Sequence, residues 1–441
     1  MTITLPVARP DIAPATRRPP GVVMMLLLLV PASLPYALVL VLGGPIPLRL
    51  IALAALATTA GIVAHRLSCG LVPLRVPPVA WGFVGLACLG LASSAAAPDP
   101  GAALRALSLP VIGLLLALAL GSAGIPRHWL RWTAGSLLAA GVVVCVRGIA
   151  AAGTPQTSFD GTYVANRAQG DFAQPNDFGS FCAAVFVLGV GLAFAARTWW
   201  SRLAFAVGAV VGGTGLVLSL SRGALLGGAV GLAVLPILLP ELRRYFLLGT
   251  LLLAPVLVLV LSTASPGSGT GVIASRLATI GSGEVSPLDE RSAIWVEGRR
   301  QALAFPLLGV GPGGYPDAAV RTPDRVLRLV PAEGPAGAAT AVGPDHAHNV
   351  LLTTAAEVGL VAALLQAFVT ARLAWLARRA AQAARQPSHR YVVAGLAGSL
   401  ATFLMQGTVD YVLRNPLLLL LLWFLVGLLL AALADSDAHA A

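Results

Sequence analysis

Residues 415–434 read NPLLLLLLWFLVGLLLAALA, 20 positions without a charge. A helix needs about 20 mainly apolar residues to cross a bilayer. Eleven more stretches of this kind lie near 22–42, 46–64, 76–97, 104–123, 129–150, 176–198, 203–220, 223–240, 245–263, 348–370 and 391–413. No strand-like alternation competes with them, and no internal repeat relates them. Pro31, Pro35, Pro110 and Pro255 fall inside the stretches, where neighbouring helices can satisfy the freed carbonyls. The expected fold is an all-α polytopic membrane protein of about 12 transmembrane helices, with a large, partly helical outer loop between spans 9 and 10.

Composition agrees. Of 441 residues, 57% are hydrophobic and 11% charged, against about 25% charged in an ordinary soluble domain. One water-soluble core cannot hide that much apolar side chain. A soluble enzyme, a disordered chain and a nucleic-acid-binding module are thereby excluded. All 29 basic residues are arginine, so their placement tests the orientation. With the N-terminus in the cytoplasm and the spans alternating, 16 arginines fall on the cytoplasmic side and 6 in short outer loops. Basic residues in short loops favour the cytoplasm, so both termini are expected inside. The arrangement is then a cytoplasmic tail over 1–21, spans 1–9 over 22–263 with a shorter outer loop near 151–175, a large outer loop over 264–346, spans 10–12 over 347–434, and a cytoplasmic tail over 435–441. The first apolar run continues and others follow, unlike a cleaved signal peptide. Cys69, Cys88, Cys145 and Cys182 border or lie in apolar runs without metal-ligand spacing, and read as small buried hydrophobes.

Two outer segments are too long to be mere connections, and long loops in compact proteins are usually functional. In the longer one, SPLDERSAIWVEGRRQALAF (286–305) reads as a helix capped by Ser286 or Asp289, with acids early and Arg299 and Arg300 late. Four pieces at this face hold the candidate residues. LVLSLSRGALLGG (216–228) places Arg222 between apolar runs. It is either a solvated turn or an anion site, where Ser219, Ser221 and Gly223 join a guanidinium at a helix N-terminus. RAQGDFAQPNDFG (167–179) carries Arg167 and a turn in which Asn176 or Asp177 can cap the next helix. Its plain reading is that cap; otherwise Arg167 faces the same outer pocket. In DERSAIWVEGRRQALAFPLLGVGPGGYPD (289–317), Pro312 interrupts the glycines and no Walker lysine is present, so a tight turn is expected rather than a nucleotide cradle. Arg291 is either paired with its neighbours Asp289 and Glu290 or aligned with Trp295 one turn on.

The fourth piece is DHAHNVLLTTAAEVGLVAALL (345–365). His346 and His348 stand where the long loop re-enters the membrane. They could ligate zinc, but no third ligand of suitable spacing is evident, and no metal site is expected. They serve either as surface caps with Asp345 or as a general base at the membrane mouth. His348 is the favoured base, because it and Asn349 begin the span while His346 remains in the loop. Asn349 is a candidate to orient a substrate hydroxyl. Glu357 is an intramembrane acid that should face the bundle interior, and Asp410 is a similar, weaker candidate.

Taken in chain order, RxxGxFxxPN (167–176), SLSRG (219–223), RSAIW (291–295), FPLLGVGPGGY (305–315) and HAHNVLLTTAAEVG (346–359) resemble the O-antigen ligase and O-antigen polymerase superfamily. The ligase pattern of His, then Asn, Ser or Gln, then nine residues and Gly fits His348, Asn349 and Gly359; Ala362 stands where the family often has Gly, Thr or Tyr. The motif-bearing part covers about 165–360. The resemblance implies an inverting glycosyltransferase that moves a glycan from undecaprenyl diphosphate to a sugar hydroxyl on the periplasmic face. The acceptor is lipid A–core in the ligase branch and the end sugar of another lipid-linked repeat in the polymerase branch. The leaving group is already a diphosphate, so neither ATP nor a metal cofactor is called for. His348, Arg222 and Arg291 are the expected catalytic residues, with Arg167, Asn176, Ser221, Asn349 and Glu357 binding substrate. Two other classes remain open. A carrier or flippase for a lipid-linked sugar would hold its substrate at mid-membrane on repeated, broken helices. A structural assembly subunit would not need these arginine, histidine and loop motifs.

The arginine bias makes a direct prediction. In a background lacking the 4 native cysteines, a cysteine near Gly337 should react with an impermeant thiol reagent in spheroplasts, and one near Ala383 only after permeabilisation. The reverse pattern would overturn the orientation.

Overall fold

The computed structural model describes residues 21–37, 39–42, 48–153, 156–157, 163–164, 167–262, 291–320, 346–384 and 386–437. In chain order the helices are α1 (Gly21–Leu26), α2 (Leu29–Ser33), α3 (Leu50–Ser68), α4 (Ala80–Ala96), α5 (Pro100–Ser122), α6 (Arg127–Ala150), α7 (Pro175–Ala195) and α8 (Trp199–Leu218). They continue with α9 (Arg222–Leu238), α10 (Arg243–Ser262), α11 (Arg291–Ala304), α12 (Tyr315–Val320), α13 (Val350–Glu357), α14 (Leu360–Ala383), α15 (Pro387–Gln406) and α16 (Pro416–Asp437). Two short antiparallel pairs, Leu40–Leu42 with Leu48–Arg49 and Gln156–Thr157 with Tyr163–Val164, complete the regular structure.

The chain is a helical polytopic membrane protein, but the count of twelve full spans does not follow from helix length. Among the described residues seven helices are long and apolar enough to cross a bilayer: α3, α5, α6, α7, α8, α14 and α16. The number becomes eight if α9 and the start of α10, bent by 112°, form one span. Every one of the twelve expected stretches meets helix, and local chemistry explains the shortfall. Pro31 and Pro35 leave 22–42 as two short helices and a 3-10 turn over Leu34–Tyr36. The α9–α10 bend falls at Leu239–Pro240, where the residue before proline is driven out of helical geometry. The helix α4 has 17 residues, and α15 carries His389 and Arg390 in its first turn and ends with Gln406.

Two helices make the centre. In α7, 16 of 21 residues are buried, and in α15, 13 of 20. Lipid gives no hydrophobic drive between helices, so close backbone approach through small residues holds such bundles together. A Cβ on Gly191 of α7 would lie 2.5 Å from the Gly395 Cα of α15. Gly223, Gly227 and Gly231 recur every four residues along α9 and face α15. A Cβ on Gly227 would meet the Thr402 carbonyl at 2.7 Å, and one on Gly231 the Gly398 carbonyl at 2.6 Å. Ser399 adds a hydrogen bond across the α7–α15 seam, donating to the Ala184 carbonyl at 2.9 Å.

The stretch expected as one span over 348–370 is broken. The short helix α13 ends at Glu357, and α14 starts after Gly359, whose φ is +105°. The glycine-rich loop before α12 fills the break. Val310 and Gly311 donate to the Ala356 and Glu357 carbonyls at 2.9 Å each, and Leu360 donates back to Pro306 at 2.8 Å. The Glu357 carboxylate accepts from the Gly313 and Tyr315 amides, while burial pushes it up to about 7. Glu357 therefore ties down a loop and does not sit deep in a transmembrane helix. The expected helix over 286–305 is described from Arg291 onward; the proposed caps Ser286 and Asp289 lie outside the described residues. A small outer core of Ile294, Tyr315, Ala347 and Ala356 docks α11 and α12 on α13.

At Gly359 a side chain meets two obstacles: the left-handed backbone, and the Leu307 carbonyl oxygen 2.3 Å from a would-be Cβ. Gly359→Ala is expected to destabilise the protein by about 1–3 kcal/mol, read as a lower thermal unfolding midpoint in detergent. An unchanged midpoint would show that the loop does not clamp the break.

Candidate active site

Four chain segments meet at one end of the bundle. The segment before α7 is pinned first. Ala168 donates to the Leu218 carbonyl at 2.9 Å, and Phe172 packs against Phe178 and Phe181. Arg167 is thereby held beside the α8–α9 turn, where its Nε donates to the Ser219 carbonyl at 2.9 Å. Its Nη2 donates to Asn176 Oδ1 at 3.1 Å. Asn176 Nδ2 in turn donates to Asp410 Oδ2 at 2.8 Å. The other carboxylate oxygen, Asp410 Oδ1, lies 2.9 Å from His348 Nδ1 and 3.9 Å from His346 Nε2. One relay thus runs from Arg167 through Asn176 and Asp410 to His348, residues spread over more than half the sequence.

Two residues at this end adopt strained backbone. Leu220 and His348 are the non-glycine residues with positive φ among those described, at +52° and +49°. Such strain costs about 1–3 kcal/mol each and collects at functional sites. At Leu220 it forms the turn into α9. Ser219 Oγ donates to the Leu216 carbonyl at 2.7 Å, and Ser221 Oγ accepts from the Ala224 amide at 3.3 Å. Both hydroxyls build the turn and the helix cap. Arg222 is left exposed on the first turn of α9, and Gly223 beside it packs on Val409, next to Asp410.

The two histidines are distinct. An ionised carboxylate only accepts hydrogen bonds, so His348 must donate from Nδ1 to Asp410. The lone pair then sits on Nε2, for which the described residues supply no partner. Arginine only donates, so Arg414 Nη1 donates to His346 Nδ1, 3.3 Å away. The proton of His346 is therefore on Nε2, toward Asp410. Burial pushes His346 below the ordinary imidazole value, against the opposing pull of Asp410. Asp410 is itself 5% exposed. Burial alone would raise its carboxyl, but the two histidines outweigh that and hold it well below the usual carboxylate range.

Several residues sit differently from the sequence expectation. His348 lies just before α13, not in a rigid helix, and its hold is the Asp410 bond and its own backbone geometry. Asn349 is the cap of α13: its Oδ1 accepts from the Leu352 amide at 2.9 Å and its Nδ2 donates to the Thr408 carbonyl at 2.8 Å. Asn176 and Asp177 do not cap α7, whose N-cap is Gln174. Asp177 instead accepts from Asn415 Nδ2 at 3.0 Å. Arg291 is the first residue of α11, and its side chain lies outside the description. Asp410, rather than Glu357, is the acid that meets the two histidines. Arg414 is one of the 6 arginines that the sequence places in short outer loops, and its guanidinium meets His346. The third group beside the two histidines comes from Asp410, 62 residues from His348, a partner that no local spacing could reveal.

Residues 205–367 match the family model described as O-Antigen ligase. The match runs from α8 into α14 and includes Arg222, Arg291, His346 and His348, while Arg167, Asn176 and Asp410 lie beyond it. No curated protein matches the chain.

Because the folded-state carboxyl of Asp410 is depressed, its contribution is fully present above the ordinary carboxylate range and erodes as pH falls through and below it. Asp410→Asn is expected to lower stability at neutral pH by about 1.5–3 kcal/mol, the usual worth of a hydrogen bond to a charged group. The deficit should shrink in acid. A deficit independent of pH would mean that Asp410 is not held ionised by the histidines.

Proposed function

We propose, from the match of residues 205–367 to the O-antigen ligase family model, that this chain is a metal-independent membrane glycosyltransferase acting as an O-antigen ligase. It moves a glycan from undecaprenyl diphosphate to a sugar hydroxyl of lipid A–core, at the periplasmic face of the bacterial inner membrane, with both termini in the cytoplasm. The observation that carries the reading is the His348 imidazole, tied through Nδ1 to Asp410 at 2.9 Å, with no partner for its Nε2 among the described residues. A base oriented by a carboxylate is what a weakly acidic acceptor hydroxyl requires.

The acceptor oxygen attacks the anomeric carbon, and its proton passes to His348 Nε2. The bond from that carbon to the diphosphate oxygen breaks, leaving its electron pair on the diphosphate. Attack from the opposite face inverts the anomeric centre. Asp410 fixes the tautomer and stabilises the imidazolium as it forms. Arg222 and Arg291 stabilise the charge growing on the diphosphate, since a guanidinium fork matches phosphate and stays charged. Arg167 and Asn176 act as positioning residues that hold Asp410 from one side. Ser221, Asn349 and Glu357 shape the turn, cap and loop around them.

The test is reconstitution with lipid-linked glycan and lipid A–core, without ATP. His348→Ala should lower transfer by about a hundredfold or more, and His346→Ala by less. Transfer should fall at acid pH, and that limb should vanish in His348→Ala. Arg222→Ala should remove about 3 kcal/mol of transition-state stabilisation, on the order of a hundredfold in rate, with Arg222→Lys a partial rescue. Undiminished transfer by His348→Ala would remove the proposed base. Movement of lipid between leaflets without a new glycosidic bond would make the protein a carrier. In a deletion strain, polymer accumulating on the lipid carrier supports the ligase. A surface glycan reduced to one repeat would instead identify an O-antigen or exopolysaccharide polymerase.

A further inference from the structure

His346, His348 and Asp410 do more than orient a base: each offers a metal-ligand atom, and these atoms all lie within 4.8 Å of one another. We propose that the three residues form a zinc site whose occupation switches the protein off. Zinc binds imidazole nitrogen and carboxylate oxygen at about 2.0–2.2 Å, so tetrahedral ligands around it stand about 3.4 Å apart. The separations from Asp410 Oδ1, 2.9 Å to His348 Nδ1 and 3.9 Å to His346 Nε2, bracket that value. The His348 side chain is 25% exposed, which leaves the fourth position open to water. Two imidazoles and one carboxylate suit zinc better than magnesium or calcium, which prefer oxygen.

Occupation changes the protonation of both rings. Zinc on His348 Nδ1 requires that nitrogen to be unprotonated, so the ring proton moves to Nε2 and the lone pair there is lost. The group that would accept a proton becomes a donor. Zinc on His346 Nε2 likewise moves its proton to Nδ1, toward Arg414 Nη1 at 3.3 Å. Two donors then face each other, and a guanidinium stands beside a dication. Arg414 therefore opposes the metal, and the site is inhibitory and reversible rather than a resident cofactor site. Inhibition rests on His348 being the base; binding does not.

Zinc chloride is titrated calorimetrically into chelator-stripped, detergent-purified protein, with cobalt(II) as an absorbance probe of four-coordinate geometry. All variants carry Cys69→Ser, because Cys69 Sγ lies 3.9 Å from the His65 ring nitrogens and forms a competing pair. One zinc per chain is expected. His346→Ala, or His346→Gln if the first does not fold, should weaken binding at least about tenfold, since even indirect support of a metal ligand is worth 10–100-fold. Arg414→Gln should tighten it. In the transfer assay, each variant's inhibition relative to its own zinc-free rate should follow the same order. No binding at millimolar zinc, or binding undiminished by loss of His346, would overturn the site. Zinc bound at the cluster with transfer unimpaired would overturn the inhibition and remove His348 as the base.

Discussion

A single buried carboxylate organises this end of the molecule. Asp410 is almost fully enclosed, and an unsatisfied charge there would cost several kcal/mol. Its two oxygens must be met, and they are met by His348 on one side and Asn176 on the other, with His346 nearby. Arg167 takes the amide oxygen of Asn176, which holds the amide nitrogen toward Asp410. The demand of one acid thus draws together the segment before α7, the re-entry before α13 and the connection from α15 to α16. The glycine contacts of α7 and α9 with α15 set the distance at which these segments can meet. A side chain at Gly227 or Gly191 would part the helices that carry the relay.

The same carboxylate separates two histidines that composition cannot. Each ring has one nitrogen spoken for by a charged neighbour, but the neighbours differ in sign. Asp410 accepts a hydrogen bond from His348 Nδ1, whereas Arg414 donates one to His346 Nδ1. Opposite tautomers follow, and among the described residues the Nε2 of His348 meets no partner. The exposed Arg222 on the first turn of α9 stands at this same end, where a helix N-terminus already favours an anion.

Much of this was legible in the sequence, because bilayer physics is written in long apolar runs. The run over 415–434 becomes α16, and the alternation of spans put Arg167, Asn176, Arg222 and His348 on one face, where the structure brings three of them and the start of α9 together. Span boundaries were less legible, since Pro35, Pro240 and Gly359 act over only a few residues. The two acids, Glu357 and Asp410, stand out in the apolar sequence, but their partners do not. Glu357 finds its partners in backbone amides of a loop some 40 residues earlier, and Asp410 finds its own in side chains from two other segments. Sequence spacing carries no information about such partners. Ser221 and Asn349 were read as ligand-facing, whereas serine and asparagine before a helix more commonly meet its open amides, as both do here.

The central claim is that Asp410 fixes the His348 proton on Nδ1 and leaves Nε2 as the base. Nitrogen-15 NMR of histidine-labelled protein at neutral pH reads this directly, with the two rings assigned by the signals lost in His348→Ala and His346→Ala. The account requires a protonated Nδ1 and an unprotonated Nε2 in His348, and the reverse in His346. A His348 ring protonated on Nε2 would contradict it, because the nitrogen facing the acceptor would then have no lone pair to offer.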